Sequence, residues 1–330
     1  MGVNLQSAAE VRELFLAATR ANRTAACRQG SIDVIRPPGL LIATGDIHDN
    51  PVNFSRLVKV AGMDDRGSPI SDRRSLSTDA STKVVPESIS ADPRSEIRDP
   101  RSPTHLVLHE IIHSDRLING ADFSYRALAR VAELKVRFPE RVHTLLANHE
   151  LSQVVGAGII KDGVRVVEAF NMGLEYAFGG DFESVASSIN EFVKSMPLAL
   201  RCICDRRDIL CAHSLPSTAM MQRFDPTVLS RDLTEADYEP RKGAAHIMVW
   251  GRGYDAEQIE DLVERWGVSL FILGHEKAEN GALLVPPSVI VLNSDTEKGA
   301  YLPIDLSRCP TPEESMGMVK LLAEVDAEGV

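Results

Sequence analysis

Residues 40–50 read Leu40-Leu41-Ile42-Ala43-Thr44-Gly45-Asp46-Ile47-His48-Asp49-Asn50. An apolar run of strand length breaks at a glycine, and a carboxylate and an imidazole follow two residues apart. Strand alternation carried past the glycine puts Asp46 and His48 on one face, where both can grip one cation. The same grammar recurs along the chain. His105–Leu108 runs into His109-Glu110, Val142–Leu146 into Ala147-Asn148-His149-Glu150, Ile209–Ala212 into His213-Ser214, and Val268–Leu273 into Gly274-His275. Six side chains of ligand type therefore stand at predicted strand ends: Asp46, His48, Glu110, Asn148, His213 and His275. Two carboxylates, an amide oxygen and three imidazoles suit two divalent ions, with manganese, iron or zinc favoured over calcium or magnesium. Any one of these residues alone reads as structural; the ordered set does not.

Around these motifs, strands alternate with helices early in the chain and gather into hairpins later. A helix is expected at about 5–22, and another begins near Pro51, with proline at its first position. Asp122 reads as the N-cap of a helix carrying Leu128, Val131, Leu134 and Phe138, stopped by Pro139. Asp162-Gly163 marks a hairpin between two apolar runs, and Asp181 opens a helix with Phe182, Val185, Ile189 and Val193 inside. Leu198–Cys204 and Ile209–Ala212 form a hairpin that delivers His213. Asp255 and Gln258 form a capping box for a helix that Gly267 stops. Val289–Leu292 and Ala300–Ile304 close the pattern, that of a mixed α/β sheet system with helices outside. Ligands placed after strands fit the rule that α/β sites are built at the carboxyl ends of strands. Residues 64–103 break the pattern: 26 of these 40 are Ser, Asp, Arg or Pro. Such a stretch buries too little surface to offset its ordering entropy. It reads as a polar insertion in a single domain spanning 1–330, either a plain surface loop or a lid near the site.

Composition narrows the function. A net charge of −11 gives no reason to expect a nucleic-acid or anionic-membrane partner. No apolar run approaches the roughly 20 residues of a membrane span. The N-terminus lacks a secretory signal pattern. The five scattered cysteines (Cys27, Cys202, Cys204, Cys211, Cys309) read as reduced and buried, which favours a cytoplasmic protein. Oligomeric state is left open.

Gly45-Asp46-Ile47-His48, Ala147-Asn148-His149-Glu150, Ala212-His213-Ser214 and Gly274-His275 resemble, in order, the successive motifs of the calcineurin-like metallophosphoesterases. The chain is most similar to the phosphoprotein phosphatase branch, which includes bacterial serine/threonine phosphatases and diadenosine tetraphosphatases. The resemblance covers residues 39–306. It implies a four-layer α/β/β/α sandwich of two mixed sheets flanked by helices. It implies that Asp46, His48 and a bridging acid hold one ion, and that this acid, Asn148, His213 and His275 hold the other. A hydroxide between the ions would then attack a phosphate monoester in line, with His149 protonating the leaving oxygen from a pKa near neutrality.

The second motif departs from the family's Gly-Asp-x-x-Asp-Arg-Gly. The chain has His109-Glu110-Ile111-Ile112-His113-Ser114-Asp115-Arg116. Glu110, directly after its strand, is the expected bridging acid, and His109 is expected to face away. Asp115 would orient His149, and Arg116 would clamp phosphate through its planar fork. His113 is an extra imidazole: a ligand, a support behind one, or a loop residue. Either Asp49 or Asn50 could touch phosphate or the metal water. Arg252 resembles a second phosphate-binding arginine of bacterial members, against the alternative of a packed surface residue. The substrate is expected to be a phosphoprotein or a small phosphorylated molecule. A dinucleoside polyphosphate hydrolase and a non-catalytic metal-binding scaffold are the alternatives.

Overall fold

Two sheets meet at the loops that carry the motifs. The computed structural model describes residues 3–64, 102–156, 159–161 and 163–325. The insertion expected at 64–103, apart from its ends, and Asp162 of the expected hairpin lie outside the described residues.

In chain order the strands are β1 (Arg28–Gln29), β2 (Ile32–Ile35), β3 (Leu40–Thr44), β4 (Thr104–Leu108), β5 (Val142–Thr144), β6 (Ile160–Lys161), β7 (Val164–Arg165), β8 (Ala199–Cys202), β9 (Asp208–Ala212), β10 (Val268–Leu273), β11 (Ala282–Val285), β12 (Val289–Leu292), β13 (Ala300–Asp305) and β14 (Lys320–Leu321). One sheet has the order β1-β2-β8-β9-β10-β12-β11, the other β14-β13-β3-β4-β5, and β6 pairs with β7. Both large sheets are mixed: β3, β4 and β5 run parallel with β13 antiparallel to β3. Strand β10 is parallel to β9 and β12, while β8 and β9 form the expected antiparallel hairpin.

Alternation explains the layering. Leu41, Ala43 and Val107 of one sheet and Cys211, Leu270, Ile272, Ile290 and Leu292 of the other form one apolar cluster between the sheets. Their sequence neighbours Ile42, Leu106, Leu210, Phe271 and Val289 point the other way, into a second cluster with the helices. Those helices include α1 (Ala8–Thr24), α2 (Pro51–Val60), α3 (Tyr125–Arg137), α4 (Asn148–Val155), α5 (Val166–Phe178), α6 (Phe182–Ser195), α7 (Ala244–Val249) and α8 (Ala256–Trp266). Phe15, Leu57, Leu128, Phe192, Ile259 and Leu262 are among their buried contributions. Strands covered on both faces read as continuous apolar runs, as these do. The result is the expected four-layer α/β/β/α sandwich.

Several local readings need correction. Asp122 is not the N-cap of α3; Ser124 holds that position. The carboxylate of Asp122 instead accepts from Ser114 N at 3.2 Å and Ser124 N at 2.8 Å, tying the loop before the helix. The apolar run after Gly163 is only briefly a strand and becomes α5, because Val166 and Val167 fall on a helical face with Phe170 and Leu174. At α8 only half of the capping box forms. Asp255 accepts from Gln258 N at 2.8 Å, whereas the Gln258 side chain turns to Pro216 O and Thr218. The cysteines carry free thiols, but Cys204 and Cys309 are half-buried.

Candidate metal centre

Each motif leaves the carboxyl end of a strand: Asp46 after β3, Glu110 after β4, Asn148 at the start of α4 beyond β5, His213 after β9 and His275 after β10. The two sheets touch here. Asp46 bridges to Asn293 beyond β12, and Ser294 N donates to Asp46 O at 3.1 Å. This close approach needs small residues. A Cβ at Gly45 would collide with Leu292 O, and one at Gly274 with Asp46 Oδ1 and His109 Cε1. The backbone is also strained locally. His48, Asp49, Glu110, His113 and His275 take φ between 41° and 65°, five of seven such non-glycine residues among those described. Each left-handed residue costs on the order of 1–3 kcal/mol, and such strain tends to gather at functional sites.

Glu110 sits centrally and is buried. Its Oε1 lies 3.7 Å from His48 Nε2 and 3.6 Å from His149 Nε2, and its Oε2 lies 3.6 Å from His213 Nε2. Its two oxygens thus stand between the imidazoles of His48 and His149 on one side and His213 on the other. His213 Nε2 lies 2.7 Å from the Asn148 side-chain amide and 3.1 Å from His275 Nδ1. The same amide atom is 3.2 Å from both Glu110 oxygens. Asp46 receives His275 N–H at 3.0 Å and stands 3.6 Å from His213 Nδ1. Each trio Asp46–His109–His213, His48–Glu110–His149 and Glu110–His213–His275 places ligand atoms within 4.8 Å of one another.

This donor set fits divalent cations. The ring nitrogens nearest the cluster are His48 Nε2, 3.7 Å from Glu110 Oε1, and His275 Nδ1, 3.1 Å from His213 Nε2, while His48 Nδ1 and His275 Nε2 are buried without a hydrogen-bond partner. Burial, with Asp46 and Glu150 nearby, pushes Glu110 well above the usual carboxylate range. Burial alone would raise Asp46 too, but His109, His213 and His48 beside it bring it below that range. Burial also holds His213 neutral, well below its ordinary value, and lowers His275 to about 3. Neutral imidazoles and crowded carboxylates form an acceptor-rich pocket that a cation would satisfy.

Two residues support this set from behind. His109 does not face away, because the left-handed backbone at Glu110 ends the alternation. His109 Nε2 donates to Thr44 O at 3.0 Å, so its Nδ1 is left to accept from His213 Nδ1 at 3.1 Å. The second nitrogen of His213 then presents a lone pair to the cluster, as a ligand requires. Glu150 accepts from Ile111 N at 2.6 Å and Ile112 N at 3.1 Å, fixing the loop that carries Glu110.

Other expected residues land elsewhere. His149 is in the cluster, but Asp115 does not orient it. Asp115 pairs with Lys161 Nζ at 3.0 Å and is 66% exposed. His113 Nδ1 meets His149 Nδ1 instead, at 2.9 Å. Nor does His149 have a near-neutral pKa: burial, then His113 and His48, lowers it to about 2. The ring is therefore neutral until an anion sits beside it. Arg116 is 60% exposed and donates to Asp49 O, in the wall of a second cavity of about 350 Å3 that Arg126 and Arg130 also line. Asn50 caps α2 by accepting from Asn53 N at 3.0 Å and donates to Asp295 O. Arg252 does reach the centre, donating to His275 O at 2.6 Å. Lys161, not singled out from the sequence, lines the same cavity of about 780 Å3, brought there by the β6–β7 hairpin.

No family model matches the chain, and no curated protein does. Solved structures do. A protein serine/threonine phosphatase from Saccharomyces cerevisiae, with similarity to human phosphatase PP5, matches at 13% identity and a TM-score of 0.58, over 91% of this chain and 83% of that one. The cold-active protein-tyrosine phosphatase of a psychrophilic Shewanella species matches at 13% identity and a TM-score of 0.51, over 86% of this chain and 80% of that one. A point mutant of a cold-active protein tyrosine phosphatase gives 14% identity and a TM-score of 0.51, over 84% of this chain and 78% of that one. The chain shares its fold with these phosphatases, as its motifs led us to expect.

Proposed function

We propose that the protein is a metal-dependent phosphoesterase acting on phosphate monoesters. The observation that carries this reading is the convergence of Asp46, His48, Glu110, Asn148 and His275 on one open cavity, with His213 buried against Glu110. Asp46, His48 and Glu110 would hold one divalent ion, and Glu110, Asn148, His213 and His275 a second. Bound there, such ions supply Lewis acidity and lower the pKa of water. Manganese, iron and zinc suit the nitrogen-rich set.

The chain's own residues do the rest. Arg252, anchored on the His275 carbonyl, and Lys161 hold the phosphate oxygens, while Arg116 lines the second cavity. Water attacks phosphorus as the bond to the leaving oxygen breaks, and His149 Nε2 gives its proton to that oxygen. The dianion beside His149 brings the charge that lets this otherwise neutral ring carry a proton. The fold is shared by a serine/threonine phosphatase and a protein-tyrosine phosphatase, which supports a phosphoprotein substrate without choosing the residue. We also propose a cytoplasmic location, in keeping with the free cysteines. Among the described residues no helix is long and apolar enough to cross a membrane.

Metal analysis with a substrate panel tests the reading. We expect two ions per chain and turnover of p-nitrophenyl phosphate and a phosphopeptide. Activity confined to bis-p-nitrophenyl phosphate or diadenosine tetraphosphate would move the substrate class. Bound metal without turnover of any of them would leave a scaffold.

A further inference from the structure

The loop that departs most from the resembled pattern, residues 109–116, contains a chain of hydrogen bonds with a fixed direction. It starts on α5 and α4. The Gln153 side-chain nitrogen donates to Asn171 Oδ1 at 2.7 Å, which turns Gln153 Oε1 toward His113. His113 Nε2 lies 3.3 Å from that oxygen. An amide oxygen only accepts, so Nε2 of His113 carries the hydrogen. In a neutral ring the other nitrogen then accepts, and its neighbour, 2.9 Å away, is His149 Nδ1. His149 must therefore donate from Nδ1, which leaves Nε2 as the nitrogen turned toward Glu110 Oε1 at 3.6 Å.

His113 is held for this task. Its ring is buried with its edge against Phe170, 5.8 Å between centroids. Its backbone N–H donates to Ser124 Oγ at 3.1 Å, and that hydroxyl donates to the buried Asp122 at 2.9 Å. Its φ of 65° is a conformation that a residue of this size adopts only under constraint. Asp115, two residues on, is committed to Lys161.

We propose that His113 is the positioning residue for His149: its ring, set by Gln153, accepts the Nδ1 hydrogen of His149 and aims Nε2 into the metal cavity. This rests on the phosphoesterase reading above. Nδ1 of histidine occupies nearly the same place as a side-chain oxygen of asparagine, and asparagine tolerates a left-handed backbone. His113→Asn thus keeps an acceptor where His113→Phe removes it.

The test compares leaving groups. General-acid help matters most when the leaving group is poor, and is worth roughly 10²–10⁴-fold. We expect His113→Phe to lower kcat on phenyl phosphate by about 10²-fold and on p-nitrophenyl phosphate by less than about 5-fold, with metal content unchanged. His113→Asn should recover most of the loss. Gln153→Leu, which leaves both rings in place, should show the same leaving-group pattern more weakly and serves if His113→Phe does not fold. Equal losses on both substrates would show a purely structural role and overturn the proposal, as would full activity on both. Nitrogen-15 NMR of the histidine rings in zinc-supplied protein gives a readout independent of turnover. We expect His149 protonated at Nδ1 and His113 at Nε2. His149 protonated at Nε2 alone sinks the proposal even if the enzyme is active. The expected tautomers in an inactive wild type would instead fault the phosphoesterase reading while leaving the ring pairing intact.

Discussion

Strands β4 and β5 together carry two clusters of polar groups, one at each end. His105 and His143 sit near their beginnings, and Glu110 and Asn148 beyond their ends. Both clusters are buried, and both include three residues placed as metal ligands could be; at the near end these are Cys27, Asp33 and His143. Only the far end behaves like a site. At the near end every charge has an answer. Arg28 Nε donates to Asp33 Oδ1 at 2.8 Å, His143 Nδ1 lies 2.8 Å from Asp33 Oδ2, and His143 Nε2 lies 3.1 Å from His105 Nδ1. Lys135 donates to the carbonyls of Pro139 and Val142 at 2.7 and 2.9 Å. Burial would raise the Asp33 carboxyl, yet His143 and Arg28 hold it well below the usual range. Burial with Asp33 beside it pushes the Cys27 thiol up to about 12. At the far end imidazoles and carboxylates crowd together, and Glu110 is forced upward in pKa rather than down. Ligand-type residues in proximity are common to both ends; only at the far end do they lie in the wall of an open cavity.

The comparison can be broken by crossing two variants. Glu110→Gln keeps the shape and removes a buried carboxylate that accepts from the His149 backbone N–H at 3.3 Å. We expect metal content to fall and kcat to drop by at least about 10³-fold, since metal assistance is worth several kcal/mol. Its folding stability should hold or rise. Asp33→Ala should do the reverse. It strands Arg28 and His143 in the interior, at about 3–5 kcal/mol, while leaving the metal count per folded chain unchanged. Elemental analysis and denaturant unfolding on both proteins settle it. Destabilisation by Glu110→Gln, or metal loss on Asp33→Ala, would erase the distinction.

A smaller effect sharpens the far end. His109 selects the tautomer of His213 from behind without touching the cavity. Replacement by Phe should weaken metal binding about 10–100-fold, the usual cost of losing such a partner. A chelator-competition titration measures this, and unchanged affinity would reduce His109 to packing.

The far cluster is legible in the sequence because its ligands obey a simple rule: each follows an apolar strand. Asp46, Glu110, Asn148, His213 and His275 all come from that pattern. What escapes depends on backbone that no propensity marks. Nothing in His109-Glu110 announces a left-handed glutamate, so simple alternation puts His109 on the wrong face. Spacing borrowed from a resembled motif puts Asp115 behind His149. The loop's own turn at His113 makes the imidazole the partner and sends Asp115 to Lys161. Lys161 itself comes from a two-residue strand, too short to carry a pattern. The fold is more legible than the site, since its central strands β3, β4, β9, β10 and β12 are covered on both faces and read as largely apolar runs. One exception is α5, whose start continues the preceding strand without a polar break.

The finest distinction concerns pH at the near end. Burial, then His143 and Arg141, lowers His105 to about 3, against an unfolded value of about 6.5. A folded pKa below the unfolded one means the unfolded chain binds more protons in that interval. The stability that neutral His105 contributes is then complete above pH 6.5 and lost as pH falls toward 3. His105→Gln has no such group. Between pH 6.5 and 5 the wild type should lose more stability than the variant, by up to about 1.4 kcal/mol per pH unit. Urea unfolding of both proteins at pH 7.5, 6.5, 5.5 and 5.0 measures the difference. Parallel curves would mean that His105 accepts a proton in the folded state, and that the stack on His143 is not the closed, neutral arrangement its 3.1 Å contact describes.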